Sequence, residues 1–353
     1  MPAARGLPGW RRAAAPWLRA AGLLLALLAF DRAMDQLHNP YFTQVLVLVA
    51  VNVVLAVSLN LILGFTGQFS LGHAGFFGIG MYVAAAISVH AGAQIQAFLH
   101  EGLHLPLLAV RTLFFLLLLG AGAAAAALAG VLVGLPSLRL QGDYLAIATL
   151  GFGEIIRIVI LNIDAVGGAR GLSVVSSNPA YSVRYEGLFA VYAVTVACIL
   201  LVARLVYSTR GRAYLAVRDD EIAIESLGTS PTRVKTEAFV VGAALAGVAG
   251  VLFSQSQGYV HTNSFTFLRS VEAVAFVVLG GMGSITGSIL AAAALTVAPE
   301  LLRPVADYRM VAYSLVLIGM MLLRPEGLFG TRELTLGGLR RLLGRGPRAA
   351  EAP

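Results

Sequence analysis

Cysteine is nearly absent from this chain. Cys198 stands alone inside an apolar run, so no disulfide can staple the fold within one chain. Charge is also scarce: 12% of 353 residues, about half of what a soluble domain carries. His100 and His104 stand four apart but lack an acidic or thiol third ligand, so no metal site is expected. The GxSxG and HExxH signatures and paired intramembrane aspartates are missing too, which excludes the usual intramembrane enzymes.

What is abundant is apolar side chain, 58% of the sequence. Most of the chain must therefore sit in lipid or against other membrane helices. The net charge of +7 is gathered into three clusters that flank apolar runs. Arg5, Arg11, Arg12 and Arg19 precede the first run; Arg210, Arg212, Arg218, Arg233 and Lys235 lie in a central island; Arg324, Arg332, Arg340, Arg341, Arg345 and Arg348 fill the tail. That distribution follows the positive-inside rule and argues against nucleic acid as a partner. It predicts that the N-terminus, the island and the C-terminus face the cytoplasm.

Runs able to cross a bilayer need about 20 apolar residues. They fall at 13–30 (short), 41–63, 71–89, 113–135, 144–162, 188–207, 238–256, 271–302 and 310–323. The run 271–302 is too long for one span, and Gly280, Gly281 and Gly283 divide it into two helical pieces. The tail returns inside if this broken segment starts and ends on the outer side, or if one short run is not a full crossing. The expected fold is an all-α integral membrane bundle of eight to ten helical elements with broken Gly-rich segments. Residues 1–40 form a basic segment with an uncleaved first helix, 41–327 the membrane body, and 328–353 a basic tail, surface-lying or disordered. The polar stretch 164–187, rich in Gly, Ser, Asn and Pro, reads as an exposed outer loop or small lid.

The island, 208–235, has internal order. Asp219 or Asp220 can cap a helix start, Gly228 suits a left-handed stop, and Pro231 prevents continuation. Ala223, Ile224 and Leu227 form a short apolar stripe, with Arg218, Glu221 and Glu225 toward the opposite side. So short a helix is marginal alone in water and calls for a groove to pack into. The bland alternative is a solvated loop.

Two segments combine glycine with polar residues. Residues 64–80 hold Gly64, Gly67, Gly72 and Gly75 with Gln68, Ser70 and His73; residues 279–290 hold Gly280, Gly281, Gly283 and Ser284. Paired Gly-interrupted segments, one in each half, point to a transport path. The alternative is close small-residue helix packing, with His73 interfacial. Glu154 and Arg157 share a helix face at i,i+3 within an apolar run, as gate or path residues or as a structural ion pair that fixes helix rotation.

Four stretches in order, GFTGQFSLGHAGFFGIGMY, GDYLAIATLGFGEIIRI, GRAYLAVRDDEIAIESLG and VAFVVLGGMGSITG, resemble the permeases of branched-chain amino-acid ABC importers of the LivM type, over residues 52 to 327. The resemblance implies a transmembrane permease subunit of an ATP-driven importer in the bacterial cytoplasmic (inner) membrane. Its partners would be a second, LivH-like permease, two ATPase subunits, an extracytoplasmic substrate-binding protein, an amino-acid substrate and membrane lipid. The chain has no GxxxxGK[ST] phosphate loop, so ATP and Mg are expected on the ATPase partners, with no cofactor and no catalytic residue here. The island would be the ATPase-docking element, through Arg218, Asp219, Asp220, Glu221, Ala223, Ile224, Glu225, Leu227 and Gly228. The broader importer pattern has Glu-Ala-Ala and a Gly four positions on; Ile222, Ala223, Ile224 and Gly228 fill that frame, so the glutamate and the second alanine are replaced and the later Leu-Pro is absent. The translocation path would use Gly64, Gly67, Gln68, Ser70, Gly72, His73, Gly75, Glu154, Arg157, Gly280, Gly281, Gly283 and Ser284. Relatives that carry urea or small amides leave that substrate class open, and an ion-coupled carrier or channel is the alternative outside the family.

Overall fold

The computed structural model describes residues 40–102, 104–138, 140, 142–174 and 188–302, and isolated positions from 311 to 330. The expected first helix at 13–30, residues 175–187 of the expected outer loop, most of the run 310–323 and, apart from Gly330, the tail 328–353 lie outside the described residues.

Three helices form the centre. Helix α1 (Pro40–Asn60) is apolar on all sides and continues as a π-helical turn, Leu61–Phe65. Of the most apolar stretch of Tyr41–Phe65, 89% is buried, as expected for a helix hydrophobic all round. Helix α2 (His73–His90) follows, then short α3 (Gly92–Ala97) and the long α4 (Leu107–Ser137). Helix α5 (Asp143–Leu161) and helix α6 (Leu188–Val206) complete the first half. The island supplies α7 (Thr209–Asp219) and α8 (Glu221–Ser226), and α9 (Pro231–Gln257) returns through the bundle. Helices α10 (Phe267–Gly280) and α11 (Ile285–Leu301) are the last two described helices of the body.

Glycine sets how closely the central helices approach. A Cβ at Gly80 on α2 would stand 2.1 Å from the Gly247 carbonyl oxygen on α9, and one at Gly250 2.0 Å from that of Phe77. Membrane helices gain no hydrophobic drive from each other, so van der Waals contact at such small-residue crossings holds them together. Around this centre α4, α5 and α6 are mostly uncovered: their apolar stretches are 33%, 17% and 28% buried. These faces are free for lipid or for other subunits.

Seven described helices are long and apolar enough to cross a membrane, and α11 is a shorter eighth. This is the polytopic helical bundle read from the sequence. The run 271–302 is broken where the glycines stand. Helix α10 stops at Gly280, Gly281 (φ 109°) and Gly283 (φ 87°) take conformations that side chains rarely allow, and Ser284 caps α11 by accepting from the Gly287 amide at 3.0 Å. The two helices form a hairpin. Its turn meets the island end of α1, while Glu300 on α11 accepts from Tyr41 at the other end of α1. The broken segment thus starts and finishes on the side away from the island, one of the two topologies the sequence allowed. On that far side a two-residue strand pair, β1 (Leu172–Ser173) and β2 (Tyr259–Val260), ties the described part of the polar loop to the end of α9.

Candidate coupling site and glycine joint

The island folds as two helices, not one. Ser208 caps α7, its Oγ accepting from the Arg210 amide at 3.2 Å, and Gly211 is required because a Cβ there would lie 1.8 Å from the Val206 carbonyl oxygen. Tyr214 and Val217 root α7 in the bundle. Burial first, and then the Glu237 carboxylate, push the Tyr214 phenol up to about 12, so it stays neutral. Asp220 is extended (φ −158°, ψ 109°) and divides the helices. Its Oδ1 accepts from the amides of Ile222 (2.9 Å) and Ala223 (3.1 Å), capping α8. At the other end Gly228 sits at φ 83°, and the Thr229 amide donates back to the Ile224 carbonyl at 3.3 Å. Ser230 and Pro231 then open α9.

Helix α8 is anchored at two points and open elsewhere. Ile224 is buried, and Glu221 pairs with Lys235, whose side chain is only 10% exposed. Ile222 and Leu227 are 81% and 83% exposed, and Ala223 and Glu225 are exposed beside them. A half-polar cleft of about 340 Å³ opens next to α8 among Phe69, Leu140, Asp220, Glu221 and Ile222.

Beneath the island the two glycine segments meet. A Cβ at Gly64 would lie 2.4 Å from the Gly283 amide nitrogen and 1.9 Å from Asn60 Oδ1. Asn60 Oδ1 accepts from the Gly283 amide (2.9 Å) and its Nδ2 donates to the Ser284 carbonyl (3.0 Å). Arg218 Nη1 donates to the Gly64 carbonyl at 2.9 Å, and its stem crosses Gly67, whose φ is 69°. Gln68, buried, donates to the Lys235 carbonyl at 3.2 Å.

Comparison with known proteins places this architecture. The model of the family "Branched-chain amino acid transport system / permease component" matches residues 41–324. The chain belongs to this permease family. It is 43% identical over 230 residues to the high-affinity branched-chain amino acid transport system permease protein LivM of Salmonella typhimurium, covering 57% of this chain and 54% of that one. The LivM protein of Escherichia coli K12 is 42% identical over 231 residues, covering 58% of this chain and 54% of that one. The permease protein LivH of Salmonella typhimurium is 34% identical over 168 residues, covering 46% and 54%. The permease thus spans about half the length of the curated relatives it matches. No solved structure matches it.

Within the permease the sequence-derived sites fall into three places. Of the expected docking residues, Asp219, Asp220, Ala223, Glu225, Leu227 and Gly228 lie on the outer surface of the island, and Glu221 is half-buried against Lys235. Ile224 departs from that expectation and is buried, as an apolar side chain gains by turning inward, whereas Arg218 stays exposed on the island, its Nε 3.3 Å from Asp219 and its Nη1 on the helix-end carbonyl of Gly64. Ile222, outside the expected set, is among the most exposed side chains; its apolar character where the importer pattern has glutamate is the signal for it.

Gly64, Gly67, Gln68, Gly280, Gly281, Gly283 and Ser284 gather at the joint. Gly72 and Gly75 are needed for packing on α5: a Cβ at Gly72 would stand 2.1 Å from the Thr149 carbonyl oxygen, and one at Gly75 3.1 Å from Gly153 Cα. Ser70 is buried nearby. Side chains meet amides at the start of α2: Ser270 Oγ accepts from Ala74 N (3.0 Å), and just before the helix Thr149 Oγ1 accepts from Leu71 N (3.1 Å). His73 is fully buried. Its Nε2 lies 2.8 Å from Ser58 Oγ, which itself donates to the Leu55 carbonyl, so the ring sits between α1 and α2. Glu154 and Arg157 bond to each other at 2.7 Å, a quarter to a third exposed. The crevice between Gly75, Glu154 and Ser270 holds about 10 Å³, too little for an amino acid, so this conformation is closed there.

A second charged pair escaped the sequence reading. Arg269 donates to Glu272 at 2.7 Å and to Asn52 on α1 at 2.6 Å, with its guanidinium 5.6 Å from the Phe77 ring centroid. Asn52 in turn donates to Thr296 on α11 at 2.8 Å. The signal was an i,i+3 charge pair at the head of an apolar run, the logic that singled out Glu154 and Arg157.

Proposed function

We propose that this chain is a transmembrane subunit of an ATP-driven importer of branched-chain amino acids. In this reading it pairs with a second, LivH-like permease, takes substrate from an extracytoplasmic binding protein, and docks an ATPase through α8, with ATP and Mg held on the ATPases. The N-terminus, island and C-terminus face the cytoplasm of a bacterial inner membrane. One observation carries it: α8 is capped at both ends, fixed to the bundle by Ile224 and the Glu221–Lys235 pair, and presents exposed Ile222 and Leu227. A six-residue helix is not stable in water alone. A membrane protein that builds one, and leaves two large apolar side chains on it uncovered, has prepared a surface for another protein.

The relatives named LivM and LivH support the choice of substrate and of a paired permease. Movement of α8 on ATP binding then reaches the bundle, and alternating access carries the amino acid inward. The test is co-purification of this chain with its genomically adjacent gene products, followed by transport in proteoliposomes. An ATPase subunit retained by the wild type, released by Ile222→Asp with Leu227→Asp, and ATP-dependent uptake of leucine, isoleucine or valine are the expected results. A chain that purifies alone and transports without ATP is a channel or ion-coupled carrier.

A further inference from the structure

We propose that Arg218 is a positioning residue for transport: the rigid tie through which movement of the island reaches the joint between the two glycine breaks. The inference rests on the permease reading above and assigns a role within it. Arg218 is the last but one residue of α7, two residues before the Asp220 cap of α8. Any displacement of α8 by a docked protein acts first on this point. The side chain, 31% exposed with Nε 3.3 Å from Asp219 Oδ1, runs its stem across Gly67, where a Cβ would stand 3.0 Å from Arg218 Cγ, and ends with Nη1 on the Gly64 carbonyl at 2.9 Å. The same Nη1 lies 3.3 Å from where a Cβ of Gly283 would stand. One guanidinium therefore binds the end of α1 and lies beside the turn of the α10–α11 hairpin, in the space a side chain at Gly283 would enter.

The joint itself needs glycine. A side chain at Gly64 would strike Asn60 and the Gly283 amide, and Gly67 and Gly283 hold positive φ. Chemistry explains the choice of a cation. The π-helical turn Leu61–Phe65 ends α1 with its negative dipole end toward the island. A second tie runs in parallel, from Glu221 of α8 through Lys235 to Gln68, so α7 and α8 meet the joint on both sides of Gly67. A small shift of packed elements at such a bistable joint can be amplified into opening of the bundle.

The experiment uses the assembled transporter in proteoliposomes with its binding protein. Arg218→Met keeps the stem on Gly67 and deletes the donor. The expected result is unchanged subunit stoichiometry and basal ATP hydrolysis, with transport and substrate-stimulated hydrolysis lowered at least about tenfold. Arg218→Lys, which restores one donor, recovers about a third or more of both. Wild-type transport and stimulation in Arg218→Met overturn the inference while leaving the permease reading standing. A wild type that binds no ATPase overturns the permease reading itself. If Arg218→Met does not assemble, hydrogen exchange on the wild-type complex decides. Protection at 64–67 and 281–284 must change together with that at 219–228 between nucleotide-free and ATP-trapped states. A response of the island without one at the joint overturns the proposal.

Discussion

Asn60 grips the Gly283 break with both ends of its amide, accepting from the Gly283 nitrogen at 2.9 Å and donating to the Ser284 carbonyl at 3.0 Å. The two partners stand 223 residues apart in sequence. A helix break inside a membrane protein frees backbone groups that lipid cannot satisfy, so another part of the protein must pair with them. Asn60→Leu leaves the Gly283 amide without its partner, while the Ser284 carbonyl keeps the Ser288 amide (3.2 Å) and hydroxyl (3.0 Å). At about 1–3 kcal/mol for one such group, the expected loss is about 1–3 kcal/mol. A fall in the thermal unfolding midpoint of the purified protein in detergent measures it. Asn60→Asp, which keeps the acceptor for Gly283 and loses the donor for Ser284, is expected to fall between. An unchanged midpoint in Asn60→Leu removes the residue from the joint.

The crossing of α2 and α9 makes a harsher prediction. A Cβ at Gly80 has 2.1 Å to the Gly247 carbonyl oxygen, and no side-chain rotation relieves a backbone clash. Gly80→Leu forces the helices apart at the centre of the bundle and is expected to abolish accumulation of folded protein in the membrane. Gly151 on α5 has nothing within 4 Å of its Cβ position, so Gly151→Ala is expected to match or exceed the wild type, alanine being favoured in a helix by up to about 1 kcal/mol. Membrane expression and monodispersity in detergent report on both. Equal behaviour of the two variants removes the close crossing as the packing determinant.

The island separates capping from contact. Asp220→Ala removes the cap of α8 and is expected to cost about 0.5–2 kcal/mol of helix stability. Gly228 has open space around it, so Gly228→Ala meets backbone strain alone, about 1 kcal/mol. Both variants lower affinity for the ATPase subunit by about three- to thirtyfold without altering membrane insertion. Glu221→Arg differs in kind, because it sets a like charge beside the nearly buried Lys235 and unseats α8 from the bundle. Binding measurements with the isolated ATPase subunit rank the three; full affinity in Asp220→Ala means the helix is not the docking element.

The sequence carried the spans, the break at Gly280–Gly283 and both ends of α8, because those are set by local chemistry: apolar length, left-handed glycine, a carboxylate cap. It also paired the two glycine segments by type, one in each half. It could not show that Gly64 and Gly283 touch, since that contact depends on how α1 and the α10–α11 hairpin pack. The bond from Arg218 to the Gly64 carbonyl was hidden for the same reason: a charge in a polar loop looks fully solvated until the carbonyl it binds is placed next to it. His73 is a polar residue among glycines whose neighbour, Ser58, lies on the preceding helix, a contact that local sequence does not show.

Glu154 and Arg157 divide the two readings of the charged pair on α5. The side chains bond at 2.7 Å and are only partly covered, on a helix whose apolar stretch is 17% buried. A lone charge there faces lipid or a neighbouring subunit at a cost of several kcal/mol, whereas a pair carries its own counter-ion. Arg157→Met is therefore expected to reduce assembly sharply, because it strands Glu154. Exchanging the two, Glu154→Arg with Arg157→Glu, keeps an i,i+3 pair in the less favourable order, a difference of a few tenths of a kcal/mol. If the pair only fixes helix rotation, the exchanged protein assembles and transports within about threefold of the wild type. If either side chain meets the substrate, exchange reverses the sign of the charge presented to it. Assembly then survives while the KM for transport rises by about tenfold or more. Uptake kinetics on the single and exchanged variants distinguish these outcomes. The closed crevice beside Glu154 and the bond to Arg157 favour the first, so near-normal KM in the exchanged protein is the expected result.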